Sequence, residues 1–491
     1  MYRYFLQEGT YSVAIVLLAL DWLIRIVLGI RVIMRRSTVG FTLAWLGVIL
    51  LLPLLGALIY LLLGERRLGT RRARRIAELR EPYGIWLDGL SRDFPCDDST
   101  LSHGAVLLRR TARGTTGIPA LPGNSLELIE EANAFFDRLI ADINAAKSSV
   151  HLEFYIWEPG GRVNDVVAAL LNAAARGVTC RVLVDDVGAD DFIKHPSIGN
   201  LRNGGVKVVT MLNVGVVRTL FARIDLRNHR KIAVIDGEIG YTGSQNMADP
   251  ALFRQDSEIG EWIDAMVRVT GPAVEALQVT LLADWEFETY EGIETAADRF
   301  DLRRNALVGD AIVQVVPSGP GMPQATIQEL ILTAIYAAER ELVLTSPYFI
   351  PDEAMIKALL SAAARGVEVT LVVPRRSDSR VVRLAGEAYF EELLEGGVKI
   401  TRFDGGVLHT KAITVDGRIA MFGTVNLDMR SFYLNFEISL LVYDGDFAAR
   451  VRALQQRYIE GSRALQLEGW RARPFLLRFL QQFFQLLSPV L

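Results

Sequence analysis

The sequence predicts an α/β protein of two similar halves, in which mixed, mostly parallel sheets are flanked by helices. The first observation is a polar motif that occurs twice, 180 residues apart. The second is a helix-and-strand unit that also occurs twice, at Leu170–Val184 and Leu359–Val373. Because strands that alternate with helices of about 10–15 residues form parallel sheets covered by helices, each copy predicts one half. We expect the halves to meet edge to edge about a pseudo-two-fold axis.

In each repeated unit a short alanine-rich helix precedes a strand. The two sequences are LLNAAARGVTCRVLV and LLSAAARGVEVTLVV, and the helices are predicted to end at Gly177 and Gly366. Glycine is common just after a helix because it adopts a left-handed backbone at little cost. The β-branched run that follows predicts a buried strand. Upstream of the helices, further strands are predicted over Val150–Trp157 and Glu341–Ile350.

The polar motif has the form H-x-K-x4-D-x6-G-x2-N. Its two copies consist of His229, Lys231, Asp236, Gly243 and Asn246, and of His409, Lys411, Asp416, Gly423 and Asn426. The stretches KIAVID and KAITVD predict strands, so the histidine and lysine, two residues apart, project from one face of the strand. A single histidine could be explained by packing, but a five-residue pattern that occurs twice could not. We interpret the copies as two halves of one active site.

These residue types indicate phosphoryl transfer. Histidine can attack phosphorus and can also transfer a proton near neutral pH. Lysine stabilises the charge on a non-bridging phosphate oxygen, and asparagine can donate an amide N–H to it. Two histidines permit a two-step displacement, in which one is phosphorylated and the other exchanges protons with the alcohols. The expected phosphate ligands from the motif are Lys231, Asn246, Lys411 and Asn426.

Acidic residues near the motif are candidates to orient the histidines. Glu437 lies on a probable strand after the second motif, in LNFEISLLV. Its counterpart in the first half is predicted to be Asp264 in EWIDAMVRV, with Glu261 as the competitor. Asp236 and Asp416 are expected either to act in catalysis or to cap the turns that follow them at glycine.

The composition excludes several classes of function. A net charge of −4 gives no overall basic surface for nucleic acid. No metal is expected, because H-x-K supplies one ligand per copy and no cysteine or second histidine is near it. No cofactor is expected either, since the sequence contains neither a G-x-x-x-x-G-K-[ST] loop nor a G-x-G-x-x-G turn after a strand.

Two apolar segments near the N-terminus predict a membrane anchor over residues 1–75. The first, at about 11–33, carries Asp21 and Arg25, which are four residues apart and can pair on one helix face. The second, at about 38–64, has 27 residues and no charge, which suits a helix that crosses a bilayer. A signal peptide is the less favoured interpretation of the first segment, because no A-x-A-like cleavage site follows it.

Arginines predict the orientation of this anchor. Three lie before the second segment and six after it, namely Arg31, Arg35 and Arg36, and Arg66, Arg67, Arg71, Arg72, Arg74 and Arg75. Because basic residues favour the cytoplasmic side, the larger group places the large domain in the cytoplasm, against anionic headgroups. A re-entrant pair of helices, broken near Pro53 and Gly56, is the alternative.

The remaining chain divides into five parts. They are a connector over residues 76–124, a first half over 125–290, a linker over 291–310, a second half over 311–468 and a tail over 469–491. In the tail, Pro474–Leu487 predicts a short amphipathic helix that lies in a membrane surface. A helix that packs on the protein's own core is the alternative.

The duplicated motif resembles the signature of the phospholipase D superfamily, and the whole chain is similar to the bacterial cardiolipin synthase family. The wider likeness covers RNHRKIAVIDGEIGYTGSQNMADP, VVPSGPG, TSPYFIPDE, and LHTKAITVDG with GTVNLDMRSFYLNFE, in order and spacing. It implies two phospholipase D-like halves and N-terminal membrane helices. It also implies a multi-pass protein of a bacterial inner membrane.

The resemblance further implies a reaction, in which two phosphatidylglycerol molecules give cardiolipin and glycerol. His229 would form a phosphatidyl-histidine and His409 would act as acid and then base, although the near-equivalent copies leave the reverse assignment open. Ser244 and Thr424, at equivalent positions, would add hydroxyl ligands to the phosphate. Phosphatidylglycerol and anionic lipids are the expected partners, a homo-oligomer is one possible assembly, and nucleic acid is not expected. A membrane-bound phospholipase D-type hydrolase and another phosphatidyltransferase share every motif and are the alternatives.

Overall fold

The structure is a computed structural model that describes residues 2–35, 39–64, 70–213, 225–253, 260–289, 302, 304–322, 326–486 and 488. The described residues form two compact units. One contains the chain up to Arg71, and the other contains the described parts of Arg72–Asn213 and Leu226–Leu491. Most of the linker expected over residues 291–310 lies outside the described residues.

The N-terminal unit consists of short and long helices. Its elements are α1 Tyr2–Met34, α2 Val39–Leu51, α3 Leu55–Ile59 and a π-helical turn at Tyr60–Gly64. The predicted pairing of Asp21 with Arg25 is confirmed, since the two charged groups are 2.6 Å apart. Arg25 also donates to the carbonyl of Leu50, at the end of α2, and Asp21 accepts the N–H of Leu54 before α3.

The single helix expected over residues 38–64 is wrong, because the chain breaks between α2 and α3. Pro53 lies in this break, and Leu54 has a left-handed φ of 53°. Proline ends a helix because it lacks the N–H that would continue the hydrogen-bond ladder. Within the part of the chain that the structure describes, no helix is both long enough and apolar enough to cross a membrane.

The second unit contains the helices that cover its sheet. In chain order they are α4 Thr70–Asp93, α5 His103–Thr116, α6 Ala132–Ala145, α7 Gly161–Ala175, α8 Asp190–Lys194, α9 Pro196–Asn203, α10 Ala273–Thr289, α11 Thr326–Ala337, α12 Glu353–Ala364, α13 Arg380–Glu387, α14 Phe390–Glu395, α15 Met429–Tyr433, α16 Gly445–Glu460, α17 Leu467–Arg471 and α18 Phe475–Gln485. The expected connector over residues 76–124 is therefore largely helical. The predicted glycines after α7 and α12 are confirmed, with φ of 89° at Gly177 and 88° at Gly366.

The strands of this unit form one large sheet and two short pairs. In chain order they are β1 Leu121–Ile129, β2 Ser149–Phe154, β3 Thr179–Asp185, β4 Lys207–Met211, β5 Lys231–Ile235, β6 Ile239–Gly243, β7 Trp262–Ile263, β8 Met266–Thr270, β9 Ala311–Ser318, β10 Glu341–Thr345, β11 Phe349–Ile350, β12 Glu368–Pro374, β13 Lys399–Phe403, β14 Val407–Leu408, β15 Ala412–Val415, β16 Ile419–Gly423, β17 Leu427–Asp428, β18 Glu437–Val442 and β19 Ser462–Ala464. The short pairs are β11 with β17 and β14 with β7.

The order of the large sheet is β19-β13-β12-β10-β15-β16-β18-β9-β1-β8-β6-β5-β2-β3-β4. From the junction of β9 with β1, equivalent strands follow in the same order in both directions. One arm reads β18, β16, β15, β10, β12, β13, and the other reads β8, β6, β5, β2, β3, β4. The junction is antiparallel, with Leu121 opposite Val313. The strand order thus has the two-fold repetition that the duplicated sequence predicts.

The expectation of mostly parallel sheets is wrong, although the mixed α/β fold flanked by helices is confirmed. Along the described sheet only β2–β3, β3–β4, β10–β12 and β12–β13 are parallel. The motif strands β5 and β15 are each antiparallel to both of their neighbours. A parallel connection needs a crossover helix, whereas the turns at Gly237 and Gly417 join adjacent strands as hairpins. The helix-strand units therefore account for the outer strands only.

Each half has its own apolar core beneath its helices. The first is formed largely by β2, β3, α6 and α7, and the second largely by β10, β12, α11 and α12. Helix α5 packs its buried face, with Ala105, Leu108 and Ala112, into the second core. This arrangement leaves the motif histidines and lysines at one edge of the sheet, where β5 and β15 begin.

Candidate active site

The two histidines lie immediately before β5 and β15, in stretches that pair with the opposite half. Strand β14 pairs in parallel with β7, and the N–H of His409 donates to the carbonyl of Ile263 at 2.8 Å. In the equivalent way, Asn228 bridges to Phe436, and the N–H of His229 donates to the carbonyl of Phe436 at 2.9 Å. Each histidine is therefore positioned by the backbone of the other half.

The side chain of each histidine also contacts the other half, where it hydrogen-bonds to a carboxylate. His229 Nδ1 lies 2.8 Å from Glu437 Oε2, and His409 Nδ1 lies 2.7 Å from Asp264 Oδ1. The structure thus brings together the residues that the sequence suggested as an orienting pair. Glu261, the competitor of Asp264, is exposed and contributes its backbone carbonyl to Val407.

All four groups of these two dyads are buried, and burial governs their charge. Burial lowers the pKa of His229 and of His409 to about 4, although the adjacent carboxylates oppose the shift. Burial raises the pKa of Asp264 and Glu437, but the histidine partners and nearby lysines outweigh it, so that both pKa values fall, that of Asp264 to about 2. At neutral pH we therefore assign neutral histidines, in which Nδ1–H donates to an ionised carboxylate and Nε2 carries a free lone pair.

The motif lysines lie beside the histidines that precede them. Lys231 Nζ donates to the carbonyl of His229 at 2.8 Å, and Lys411 Nζ donates to that of His409 at 2.6 Å. Both side chains are buried, and burial lowers the pKa of Lys231 to about 8 and that of Lys411 well below its usual value. An added anion such as a phosphodiester would favour the charged form of both lysines.

The hydroxyl groups of Ser244 and Thr424 contact the two orienting carboxylates. Thr424 Oγ1 donates to Glu437 Oε2 at 2.6 Å and accepts the N–H of Ile438. Ser244 hydrogen-bonds to Asp264 and accepts the N–H of Ala265 at 3.0 Å. The expectation that these hydroxyls bind phosphate is corrected, because they are already used to hold the orienting carboxylates.

The motif glycines permit this arrangement by a close approach of strands. A Cβ on Gly243 would lie 2.5 Å from the carbonyl oxygen of Ala265, and a Cβ on Gly423 would lie 2.3 Å from that of Ile438. Ala265 and Ile438 directly follow the two orienting carboxylates in the chain. Any larger residue would therefore push Asp264 or Glu437 away from its histidine.

The motif asparagines lie in the same buried region. Asn246 Oδ1 accepts the N–H of Ile156 at 3.3 Å, and the N–H of Asn426 donates to Ser431 Oγ at 3.2 Å. Among the described residues, Asn426 Oδ1 is buried without a hydrogen-bond donor. Their role as phosphate ligands stays a prediction.

Asp236 and Asp416 lie at the far ends of the motif strands, away from the histidines. The carboxylate of Asp236 accepts the backbone N–H groups of residues 147–149 at 2.7–2.9 Å. That of Asp416 accepts the N–H groups of residues 339–341 at 2.7–3.0 Å. We correct the expectation of catalysis or of turn capping, because these carboxylates instead fix the loops that lead into β2 and β10.

Sequence reasoning missed the buried residues behind the histidines. Arg230 donates from Nε to the carbonyl of Glu437 at 2.9 Å and from Nη2 to that of Ser318 at 3.2 Å, and it forms an ion pair with Asp284. Asp284 in turn hydrogen-bonds to Glu153, whose pKa is raised by burial and by the charge of Asp284. A charged residue between the motif histidine and lysine was the available signal.

The second half has neutral residues in the equivalent place. Thr410 Oγ1 lies 3.0 Å from the hydroxyl of Tyr458, and Thr414 donates to Gln455 at 2.6 Å.

Aromatic rings complete the surroundings of the histidines. Tyr155 lies against His229, with ring centroids 5.1 Å apart, and Trp262 lies against His409 at 4.3 Å.

Comparison with known proteins agrees with this geometry. The family described as "Cardiolipin synthase, PLD-like domain" matches residues 139–285 and 331–458, and "Phospholipase_D-nuclease N-terminal" matches 22–65. The chain is 41% identical over 470 residues to cardiolipin synthase A of Serratia proteamaculans, which covers 96% of this chain and 97% of the relative. The identity and the coverage are the same for cardiolipin synthase A of Yersinia pseudotuberculosis serotype IB.

A solved structure supports the fold. The crystal structure of phosphatidylserine synthase from Haemophilus influenzae Rd KW20 matches with a TM-score of 0.58 and 14% identity, over 78% of this chain and 100% of the other. The two-fold α/β fold and the paired histidines are those of a phosphatidyltransferase of the phospholipase D type. The chain belongs to the bacterial cardiolipin synthase family of the phospholipase D superfamily.

Proposed function

We propose that the protein transfers the phosphatidyl group of one phosphatidylglycerol to the terminal hydroxyl of another, which yields cardiolipin and glycerol. The observation that carries this proposal is the pair of dyads, His229 with Glu437 and His409 with Asp264, each formed across the two halves. Two neutral histidines with free Nε2 atoms can divide the work of attack and proton transfer. The similarity to cardiolipin synthases supports the choice of lipid.

In the first step, His229 Nε2 attacks the phosphorus of the donor lipid, and the bond from phosphorus to the oxygen of the headgroup glycerol breaks. His409 gives a proton to the departing glycerol. Burial lowers the pKa of His409, but the negative charge of a bound phosphodiester favours the protonated form, in which Nε2 carries the proton that is transferred. The products of this step are glycerol and a phosphatidyl-histidine.

In the second step, His409 takes the proton of the acceptor's terminal hydroxyl. The acceptor oxygen attacks phosphorus, the phosphorus–nitrogen bond breaks, and His229 is regenerated. Lys231, Lys411, Asn246 and Asn426 are proposed to hold the non-bridging oxygens during both steps. Glu437 and Asp264 keep each Nδ1 protonated, so that Nε2 faces the phosphorus.

We also propose that the protein works at a bacterial inner membrane, as a multi-pass protein with residues 125–290 and 311–468 on the cytoplasmic side. Large apolar side chains are exposed on α1 and α2, and such surfaces suit lipid. They include Ile15, Leu18, Ile33, Met34, Val39 and Leu43. The tail supports the same placement, because α18 and the residue that follows it expose a row of apolar side chains, Phe475, Leu476, Phe479, Phe483 and Leu486.

The decisive experiment is a product assay. The purified full-length protein is placed in phosphatidylglycerol vesicles, and the lipids and released glycerol are measured together. We expect cardiolipin and glycerol in equal amounts. Phosphatidic acid without cardiolipin would instead identify a hydrolase, and transfer only to an added alcohol or to phosphatidylethanolamine would identify another phosphatidyltransferase.

A further inference from the structure

A recess lies beside the site in the second half, where β11, β12 and β13 end against α13. We call it the basic recess and define it by Tyr348, Phe349, Arg383, Glu387, Phe390 and Arg402. The recess has a cavity volume of about 30 Å³ and opens to solvent. Phe349 on β11 pairs with Leu427 on β17, the residue that follows the motif residue Asn426. One wall of the recess is therefore continuous with the candidate active site.

The recess carries more positive than negative charge. Arg383 Nη1 and Arg402 Nη2 lie 3.0 Å and 3.3 Å from the same oxygen of Glu387. The other oxygen of Glu387 accepts a neutral donor, the amide of Gln481, at 2.8 Å. In the described structure Glu387 is the only acidic residue that lines the recess. Two guanidinium groups thus share one carboxylate among the residues that line the recess.

These groups are largely buried, so water screens the charge of the recess less than it would at an exposed surface. Glu387 is only 4% exposed, and the side chain of Arg402 is 19% exposed. Burial lowers the pKa of Arg402, and Arg383 and Arg375 add to this effect, whereas Glu387 and Asp404 oppose it. An anion that entered the recess would relieve this repulsion, and arginine suits the oxygens of a phosphodiester because its donors form a fork.

The equivalent strand end in the first half has the opposite charge. Strand β3 ends at Asp185 and is followed by Asp186, whereas β12 ends at Pro374 and is followed by Arg375 and Arg376. The excess positive charge is therefore a property of the second half and not of the repeated fold. A site that binds two copies of the same anionic lipid in different roles needs such a difference.

Apolar surface lies next to the recess. Helix α18 is attached to α13 by the hydrogen bond of Gln481 with Glu387, and Gln481 is 1% exposed. The opposite side of α18 is apolar and open, with Phe475 82% and Leu476 66% exposed. A buried cationic group beside an open apolar helix matches a phospholipid, whose phosphodiester is anionic and whose chains are apolar.

We infer that the basic recess binds the phosphodiester of the acceptor phosphatidylglycerol, with the acyl chains of that lipid along the open side of α18. This inference rests on the proposed function, in which a second lipid must reach the phosphatidyl-histidine before water does. With its phosphate held in the recess, the acceptor's terminal hydroxyl can extend towards Asn426 and the histidines.

The test is the ratio of transfer to hydrolysis. Arg383→Gln and Arg402→Gln each leave one arginine to pair with Glu387, so both proteins should fold, and thermal unfolding checks this. In phosphatidylglycerol vesicles the ratio of cardiolipin to phosphatidic acid should fall about tenfold, the loss expected when one charge-assisted hydrogen bond is removed. Arg383→Lys should restore part of the ratio.

Arg463→Gln is the matched control. Arg463 pairs with Asp404 at 3.2 Å, and its side chain is 73% exposed, so its removal changes the local charge outside the recess. The control should keep the wild-type ratio. An unchanged ratio in both recess variants, whatever their total rate, would overturn the inference.

Inorganic phosphate separates a lipid site from a site for free phosphate. Millimolar inorganic phosphate should leave the wild-type ratio unchanged if the recess takes a lipid phosphodiester. A fall in the ratio as large as that of Arg383→Gln would contradict the inference. Failure of the proposed function itself would be distinct, because the wild-type protein would then make no cardiolipin.

Discussion

The two halves carry the same reacting groups but hold them in different surroundings. Each half contributes one histidine and one lysine. Each half also contributes one carboxylate, which hydrogen-bonds to the histidine of the other half, and the two histidine–carboxylate distances are nearly equal. Behind His229 lies a buried charged network that contains Arg230, Asp284 and Glu153. Behind His409 the equivalent network is neutral, with Thr410, Tyr458 and Gln455.

This difference separates the features of the site that follow from the duplication from those that do not. The reciprocal dyads follow from duplication, because each half uses the same strands to position the same groups. The buried networks behind the histidines and the basic recess differ between the halves, so the two histidines lie in different electrostatic environments. A reaction with one attacking and one proton-transferring histidine requires such a difference, and the following predictions test it.

The largest expected effect is on turnover when either histidine is removed. His229→Ala and His409→Ala should each lower kcat about 10⁴-fold, as happens when members of a catalytic unit are lost. Cardiolipin formation in vesicles measures the loss, and circular dichroism checks the fold. Substantial activity in either variant would break the model of one shared site.

The same two variants can then be distinguished with an activated donor. A phosphatidyl ester of p-nitrophenol needs no acid for its leaving group. His409→Ala should therefore release about one p-nitrophenol per site and retain the phosphatidyl group on His229, whereas His229→Ala should release none. The reverse pattern would assign the attack to His409.

The next effect is on stability and concerns the unequal networks. Arg230→Met leaves the buried carboxylate of Asp284 without its cation, which should lower the free energy of unfolding by about 3–5 kcal/mol. Thr410→Val, at the equivalent position, should cost only about 1 kcal/mol. Denaturant unfolding of the solubilised protein measures both. Adding Asp284→Asn to Arg230→Met should recover part of the loss, and no recovery would contradict the proposed charge network.

The two histidines should contribute equally to the pH dependence of stability. Because the pKa of each histidine is about 4 in the folded protein and about 6.5 when unfolded, the unfolded state binds more protons between these values. The free energy of unfolding should therefore fall as pH drops from about 6.5 to 4, by about 3 kcal/mol for each histidine. His229→Asn and His409→Asn should each remove a similar share of this slope. Unequal shares would show that the dyads are not electrostatically equivalent.

The exchange of carboxylates across the halves can be tested by double-mutant cycles. His229→Ala and Glu437→Ala should be coupled by about 2 kcal/mol in unfolding free energy, because they share a buried hydrogen bond. His409→Ala and Glu437→Ala should be additive within about 0.5 kcal/mol. The matching cycles with Asp264 should give the opposite result. Coupling of Glu437 to the histidine of its own half would contradict the cross-half dyads.

The sequence predicted the components of this site better than their arrangement. The duplicated motif identified both histidines and both lysines, because residue types and spacing are directly visible in a repeat. Glu437 and Asp264 were predicted separately, as acidic residues near the motif. The pairing of Glu437 with His229, 208 residues away, was not predicted. That pairing depends on how the edges of two half-sheets join, and local patterns carry no information on register between distant strands.

The mistaken expectations have a related cause. Mostly parallel sheets were expected because helices and strands alternate in the repeated units, but those units account only for the outer strands. The motif strands β5 and β15 are antiparallel to their neighbours, and their apolar composition carries no signal of strand direction. Ser244 and Thr424 were expected to bind phosphate because the family resemblance implies ligands at these equivalent positions. Their actual contacts, with the carboxylates, exist only once β6 meets β8 and β16 meets β18.

The smallest expected effect concerns the motif aspartates, where the halves should behave alike. Asp236→Asn and Asp416→Asn each replace a carboxylate that accepts three backbone N–H groups with an amide that has a single acceptor oxygen. Each should lower the free energy of unfolding by about 1–2 kcal/mol, since some of these donors lose their partner. Values of kcat measured well below the unfolding temperature should change less than threefold. A fall of a hundredfold or more with unchanged stability would restore the catalytic role that the motif alone suggested, because an aspartate that only anchors the loop before β2 or β10 has no contact through which to slow the chemistry.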